Sequence, residues 1–114
     1  YRLAKMMNQQ GSTVYLYSMR LLPAMHCFDH ILALEDESKL DKYFPNIKDK
    51  TKIKQLGQQM RRNYVEFIVH GQVLEKDWLP LNQKQCEMRW NNQCHVTKID
   101  QEVLDHIGSQ VFKL

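Results

Sequence analysis

The stretch Thr13-Val14-Tyr15-Leu16-Tyr17-Ser18-Met19 decides the fold that the sequence predicts. Its β-branched and aromatic side chains favour a β-strand. The unbroken apolar run at 14–17 indicates a strand covered on both faces, as in a parallel sheet flanked by helices. A single strand of this kind needs neighbours that the rest of the chain does not obviously supply. The predicted fold class is therefore α/β, with a sheet that is incomplete in this chain alone.

Helical periodicity predicts three helices around this strand. Residues 1–10 place Leu3, Met6 and Met7 on one face, and Gly11 follows as a stop signal. Residues 27–42 favour a helix, which Pro45 ends. Residues 51–69 show the clearest pattern, and Gly71 ends it. Their apolar side chains repeat at steps of three and four: Ile53, Leu56, Met60, Tyr64 and Phe67.

Two short strands and a last helix complete the predicted order. Residues 85–90 alternate apolar and charged side chains, which is typical of a half-buried strand. Residues 94–99 form the predicted returning strand, after the turn signal Asn91-Asn92. Asp100 is the predicted cap of the final helix, whose apolar face carries Val103, Leu104, Ile107 and Val111.

Size and charge exclude several functions. The chain has 114 residues, which predicts one domain over 1–114. Its net charge of +3 is too small to indicate a nucleic-acid partner, and Asp49 interrupts the densest run of lysines, at 48–54. No apolar run approaches the roughly 20 residues that a transmembrane helix needs, so no membrane span is predicted.

The three cysteines leave two alternatives open. Cys27, Cys86 and Cys94 form no Cys-x-x-Cys pair, which argues against a zinc or thioredoxin-type site. Cys86 and Cys94 can bridge across the predicted hairpin in an oxidising compartment, or both can be free buried thiols.

Three segments resemble, in order, the C-terminal region of the type-B carboxylesterase/cholinesterase family of α/β-hydrolases: residues 56–71, Trp78-Leu79-Pro80 and residues 85–90. Tyr64, Phe67 and Gly71 fall at the spacing of the family's helix, although Tyr64 replaces the usual tryptophan. Val73 replaces the usual proline. The run at 14–17 is similar to the strand that precedes the family's catalytic histidine loop. The resemblance implies the C-terminal part of an α/β-hydrolase fold: strand, histidine loop, long helix and final strand.

The resemblance also implies a catalytic histidine. His26-Cys27-Phe28-Asp29 matches the histidine of the family's motif and the acid three residues later, with Cys27 in place of a small residue. His26 would take the proton of a serine and return it to the leaving group. His30 is the alternative, although no acid follows it at that spacing. Asp29 is expected to hold the local loop, while the triad acid would come from upstream.

The remaining catalytic parts are absent from the sequence. No Gly-x-Ser-x-Gly elbow occurs, and only four glycines are present, too few to supply a glycine-rich oxyanion loop. No cofactor or metal is predicted, since His26 and His30 have no evident third ligand. The chain is therefore expected to be inactive alone, and to need the missing N-terminal part of the hydrolase fold.

The resulting functional hypothesis is the C-terminal fragment of a serine carboxylesterase-like hydrolase, with a small-molecule ester as the substrate of the intact protein. Two alternatives stay open: a non-catalytic esterase-like adhesion or binding protein, and a small independent α+β domain. The resemblance alone suggests the secretory pathway. A Gly-x-Ser-x-Gly elbow upstream would separate the enzyme from the binding protein.

Overall fold

The fold consists of short helices, one long helix and a small sheet. The computed structural model describes residues 2–21, 28–34, 37–91 and 94–100, together with Glu102. The helices are α1 (Arg2–Gln9), α2 (Phe28–Leu34), α3 (Leu40–Tyr43) and α4 (Thr51–His70), with a 3-10 turn at Glu37–Lys39. The strands are β1 (Tyr17–Met19), β2 (Cys86–Trp90) and β3 (His95–Lys98).

The sheet places β2 in the centre, in the order β1-β2-β3. Strand β1 runs parallel to β2, with Tyr17 opposite Met88 and Met19 opposite Trp90. Strand β3 runs antiparallel to β2, with Val96 opposite Met88. Because parallel strands need a long crossover, the chain between β1 and β2 has room for the helices α2 to α4. The partner of β1 therefore comes from within this chain, which the sequence did not lead us to expect.

Strand β2 confirms the predicted alternation. Its apolar side chains are buried, whereas Glu87 and Arg89 lie half-buried on the opposite face. There the Arg89 Nε donates to the Glu87 carboxylate at 3.0 Å, and Arg20 lies 3.7 Å from the same oxygen. One face of the sheet thus packs on the core, and the other carries ion pairs.

Strand β1 is shorter than predicted. Regular strand geometry covers Tyr17–Met19 and not the whole of 13–19. The preceding residues are nevertheless tied down, since the carbonyls of Val14 and Leu16 accept from the amides of Leu81 and Met88, each at 2.9 Å. The prediction that the run at 14–17 is a strand buried on both faces is wrong, because Val14, Tyr15 and Leu16 are only half-buried and Tyr17 is 39% exposed.

Helix α4 begins and ends close to its predicted bounds. At its start the Asp49 carboxylate accepts from the Thr51 amide at 3.0 Å and from its hydroxyl at 2.6 Å. These bonds hold the pKa of Asp49 below its usual range. At its end Gly71 adopts a left-handed backbone with φ 74°, and its amide donates to the Phe67 carbonyl at 2.8 Å. Glycine takes this conformation without the Cβ clash of other residues.

The apolar face of α4 is buried only in its first half. Ile53, Leu56 and Met60 lie in the core, as predicted. Further on, Tyr64 is half-buried and Phe67 is exposed, so the stripe is not core along its whole length. The cause is geometric: α2 packs against α4, and α2 is only 7 residues long.

The predicted helix over 27–42 is divided into α2, the 3-10 turn and α3. The Ala33 carbonyl, near the end of α2, accepts from Arg61 Nε of α4 at 2.9 Å. A side chain from another element thus satisfies a terminal carbonyl that has no partner within its own helix. Apart from Glu102, the predicted final helix after Asp100 lies outside the described residues.

Candidate functional site

Only one of the two predicted histidines lies among the residues that the structure describes. His26 and its neighbour Cys27 lie outside the described residues, so the proton-transfer role of His26 stays a prediction. The alternative, His30, lies in α2 with an exposed side chain. Asp29, the acid of the predicted motif, lies in the first turn of the same helix.

Asp29 connects α2 to the sheet. The Tyr17 hydroxyl of β1 donates to its Oδ2 atom at 2.6 Å. Twelve residues separate the two side chains in sequence, and this hydrogen bond holds the start of α2 against the edge strand. Hydrogen bonds to a carboxylate are stronger than neutral ones, so the contact is suited to fixing the start of α2.

A second tyrosine adjoins this contact. The ring of Tyr64 lies 6.0 Å from that of Tyr17, centroid to centroid. Its hydroxyl oxygen is buried beside the Tyr17 hydroxyl and makes no hydrogen bond of regular geometry among the described residues. Burial raises the pKa of Tyr64, and burial together with the bond to Asp29 raises the pKa of Tyr17 well above its usual range. Both phenols therefore stay neutral at physiological pH, where they act as hydrogen-bond groups and not as bases.

These tyrosines belong to a larger aromatic cluster. Tyr15 meets Phe67 and Trp78 edge to face, with 5.7 Å between centroids in each case. Trp78 meets Trp90 in the same way at 5.6 Å. The indole N–H of Trp78 donates to the Leu16 carbonyl at 2.8 Å, which fixes the ring beside β1.

The cluster surrounds a cavity of about 140 Å³, which we call the aromatic pocket. Its described lining is Tyr15, Tyr17, Tyr64, Phe67, Val73 and Trp78. Sequence reasoning assigned these side chains to a strand and to a helix core, and did not bring them together. Two spacings in the sequence could have indicated the cluster. Tyr15 and Tyr17 are two residues apart, which puts both on one side of a strand. Tyr64 and Phe67 are three residues apart, which puts both on one face of a helix.

The loop after α4 is positioned by a buried amide. Asn63 is 1% exposed, and its Oδ1 atom accepts from the amides of Leu74 at 3.0 Å and Glu75 at 3.3 Å. Its Nδ2 atom donates to the Gln59 carbonyl at 3.0 Å. These bonds hold the loop in which Val73 closes one side of the aromatic pocket.

The two described cysteines, Cys86 and Cys94, form no disulfide with each other. Cys86 and Cys94 are both free thiols, Cys86 buried and Cys94 half-buried. The Cys94 thiol donates to the Asn91 carbonyl at 3.3 Å, and burial raises its pKa. A raised pKa keeps the thiol protonated, and a protonated thiol is a poor nucleophile.

Among the residues that the structure describes, no three His, Cys, Asp or Glu side chains come together as a metal site. Within the same part of the chain, no helix combines the length and hydropathy that crossing a bilayer requires.

Comparison with known proteins gives no relative. No family model, no curated protein and no solved structure matches the chain.

Proposed function

We propose that the chain is the C-terminal portion of a serine carboxylesterase-like α/β-hydrolase, and that His26 is its general base. The observation that supports the proposal is the order of the elements: strand β1, then the predicted histidine segment, helix α2 and the long helix α4. The pairing of Tyr17 with Met88 counts towards the small independent α+β domain instead, because β1 then finds its partner strand without an upstream sheet. Parallel strands joined by helices are the repeating unit of α/β sheets, and the predicted histidine segment lies between such a strand and helix α2.

The unsatisfied edges of the fold support the same proposal. Among the described residues, β1 has a strand on one side only. The last turns of α4 also expose large apolar side chains, including Ile68 at 80%. Exposed apolar area and an unpaired edge of this kind indicate surfaces that another part of a larger fold covers.

The chemistry divides between this chain and the upstream part. His26 would accept the proton from a serine as it attacks the ester, and would then donate it to the departing alcohol. The bond from Tyr17 to Asp29 would hold the histidine segment against the sheet. The 114 residues contain no Gly-x-Ser-x-Gly elbow and no glycine-rich oxyanion loop, and the triad acid is expected from upstream, so this chain alone is expected to hydrolyse no ester.

The test joins the chain to the segment encoded immediately upstream and measures hydrolysis of a p-nitrophenyl ester. His26→Ala should reduce kcat on the order of 10⁴- to 10⁶-fold. The matched control, His30→Ala, removes an exposed imidazole four residues away and should leave most of the activity. Equal activity of His26→Ala and the parent protein would exclude His26 as the base, and hydrolysis by the 114-residue chain alone would contradict the proposal.

A second candidate is a non-catalytic binding protein of the same architecture. In such a protein, the exposed apolar residues Val65, Ile68 and Val69 at the end of α4 would contact a partner protein and not another part of the same fold. An upstream segment without a Gly-x-Ser-x-Gly elbow, and no labelling of the joined protein by a fluorophosphonate probe, would support this candidate over the enzyme.

A further inference from the structure

Tyr17 combines an exposed ring with a hydroxyl that donates to a carboxylate. The hydroxyl oxygen lies 2.6 Å from Asp29 Oδ2, the short distance that is typical of a bond to an ionised oxygen. Tyr17 is 39% exposed on β1, whereas the other tyrosines that the structure describes are half-buried. Among the described tyrosines, Tyr17 is therefore the one that an oxidant in solution reaches most easily.

The Asp29 carboxylate is the proton acceptor that oxidation of a phenol requires. Loss of one electron makes a phenol strongly acidic, so the electron leaves more easily where a base already holds the proton. Such a base has to lie within hydrogen-bond reach of the proton that it takes. Asp29 meets this condition without any rearrangement of the chain.

Tyr64 supplies a contact that favours the oxidised form of Tyr17. Its hydroxyl is buried beside the Tyr17 hydroxyl and makes no hydrogen bond of regular geometry among the described residues. Once Tyr17 has lost its proton, its oxygen acts only as an acceptor, and the Tyr64 hydroxyl can donate to it. A buried hydroxyl is costly to leave without a partner, so this bond stabilises the phenoxyl radical.

Tyr43 has the opposite environment. It is half-buried on α3, and the ammonium group of Lys42 lies 5.8 Å from the centre of its ring. A nearby cation opposes the loss of an electron from the ring, because that loss adds a second positive charge. The charges beside the two rings therefore favour oxidation of Tyr17 over Tyr43.

We propose that Tyr17 is the oxidative modification site of the chain, at which an outer-sphere one-electron oxidant generates a phenoxyl radical and two copies then join as a dityrosine. In each copy the electron reduces the oxidant, while the phenolic proton passes to Asp29 and from there to water. The two radicals form one carbon–carbon bond between ring carbons next to the C–O group, and the hydrogens on those carbons move to the oxygens. The inference does not depend on the proposed hydrolase.

The test illuminates the purified chain with tris(bipyridyl)ruthenium(II) and a sacrificial electron acceptor, which generates ruthenium(III) as the oxidant. Covalent dimers are measured on reducing gels, which exclude disulfides of the free thiols, and the crosslinked peptide is identified by mass spectrometry. The peptide joined through Tyr17 of both copies should be the main product. Tyr17→Phe should remove most of the dimer, whereas Tyr43→Phe, the matched control, should leave its yield unchanged.

Asp29→Asn separates the role of the carboxylate from the exposure of the ring. The asparagine oxygen still accepts from the Tyr17 hydroxyl but does not take up its proton. The initial rate of dimer formation should fall on the order of 10²-fold, the lower end of what a positioned base contributes.

Tyr64→Phe gives a second comparison, which decides the matter if Asp29→Asn does not fold. It removes the hydroxyl that donates to the radical, and should slow dimer formation about 3- to 10-fold, the value of one hydrogen bond. Thermal melting followed by circular dichroism reports whether each variant is folded.

Three results would overturn the inference. The first is a main crosslink at a tyrosine other than Tyr17 in the unmodified chain. The second is an unchanged rate in folded Asp29→Asn, or in Tyr64→Phe where Asp29→Asn does not fold, which would show that exposure alone selects Tyr17. The third is an absence of dityrosine under conditions that crosslink free tyrosine.

Discussion

Gly57 of α4 faces the backbone of Leu32 so closely that a Cβ atom at Gly57 would lie 2.5 Å from the Leu32 carbonyl oxygen. Both residues are buried, and the contact lies where α2 packs against α4. The clash would be with backbone, which cannot turn aside as a side chain can. Glycine at this position sets the distance between the two helices.

Gly57→Ala is therefore expected to destabilise the fold. Alanine favours helix by up to about 1 kcal/mol over glycine, but overpacking of a tight contact costs about 1–3 kcal/mol. We expect a net loss in the free energy of unfolding, measured by urea denaturation. Gln55→Ala, at an exposed position of the same helix, is the control and should be nearly neutral. A stabilised Gly57→Ala variant would show that the helices are further apart than described.

Gly71→Ala tests the end of α4. Its left-handed backbone, with φ 74°, is unfavourable for a residue with a Cβ atom, so alanine should cost about 1–2 kcal/mol. Gly71→Asn should cost less, because asparagine tolerates this conformation better than alanine. Urea denaturation of the two variants gives the order. Equal losses of unfolding free energy in the two variants would contradict the assignment of the loss to the left-handed backbone at Gly71.

Asn63→Ala tests the loop that follows α4. The change would leave the amides of Leu74 and Glu75 without their acceptor, at an expected cost of about 2–3 kcal/mol. Hydrogen exchange of these two amides should accelerate.

The control for this variant is Gln59→Ala, which removes a side-chain bond to Glu75 but keeps the backbone carbonyl that accepts from Asn63. It should leave the exchange of the Leu74 amide nearly unchanged. Unaltered exchange in Asn63→Ala would contradict the described loop.

Tyr17→Phe tests the alkaline stability of the contact with Asp29. The pKa of Tyr17 is raised in the folded chain by burial and by that hydrogen bond. Below about pH 10, the ordinary pKa of tyrosine, the phenol is neutral in both states. Above it the unfolded chain releases the proton first, so the free energy of unfolding falls as pH rises.

Removing the hydroxyl should make this alkaline loss less steep, although Tyr17→Phe is less stable at neutral pH. Tyr64→Phe should act in the same direction, because burial raises the pKa of Tyr64 as well. Denaturation curves collected between about pH 8 and pH 11 span the ordinary tyrosine pKa and measure the effect. Tyr43→Phe, on α3, is the matched control. An unchanged slope in Tyr17→Phe would exclude its hydroxyl as a source of the pH dependence.

The sequence by itself determined the elements whose signals are local. The period of α4, the alternation of β2 and the glycine after α4 depend on residues a few positions apart, and they were predicted within one or two residues. The candidate histidines also came from the sequence, through resemblance, and the role of His26 stays a prediction.

Only the tertiary structure decided the contacts between distant residues. It paired β1 with β2, separated by most of the chain, and shortened β1 because regular pairing begins at Tyr17. It brought Asn63 to the loop amides and assembled the aromatic pocket from a strand, a helix and a loop. The physical reason is that propensity and periodicity report which face of an element is apolar, whereas the partner of that face depends on how all elements pack together.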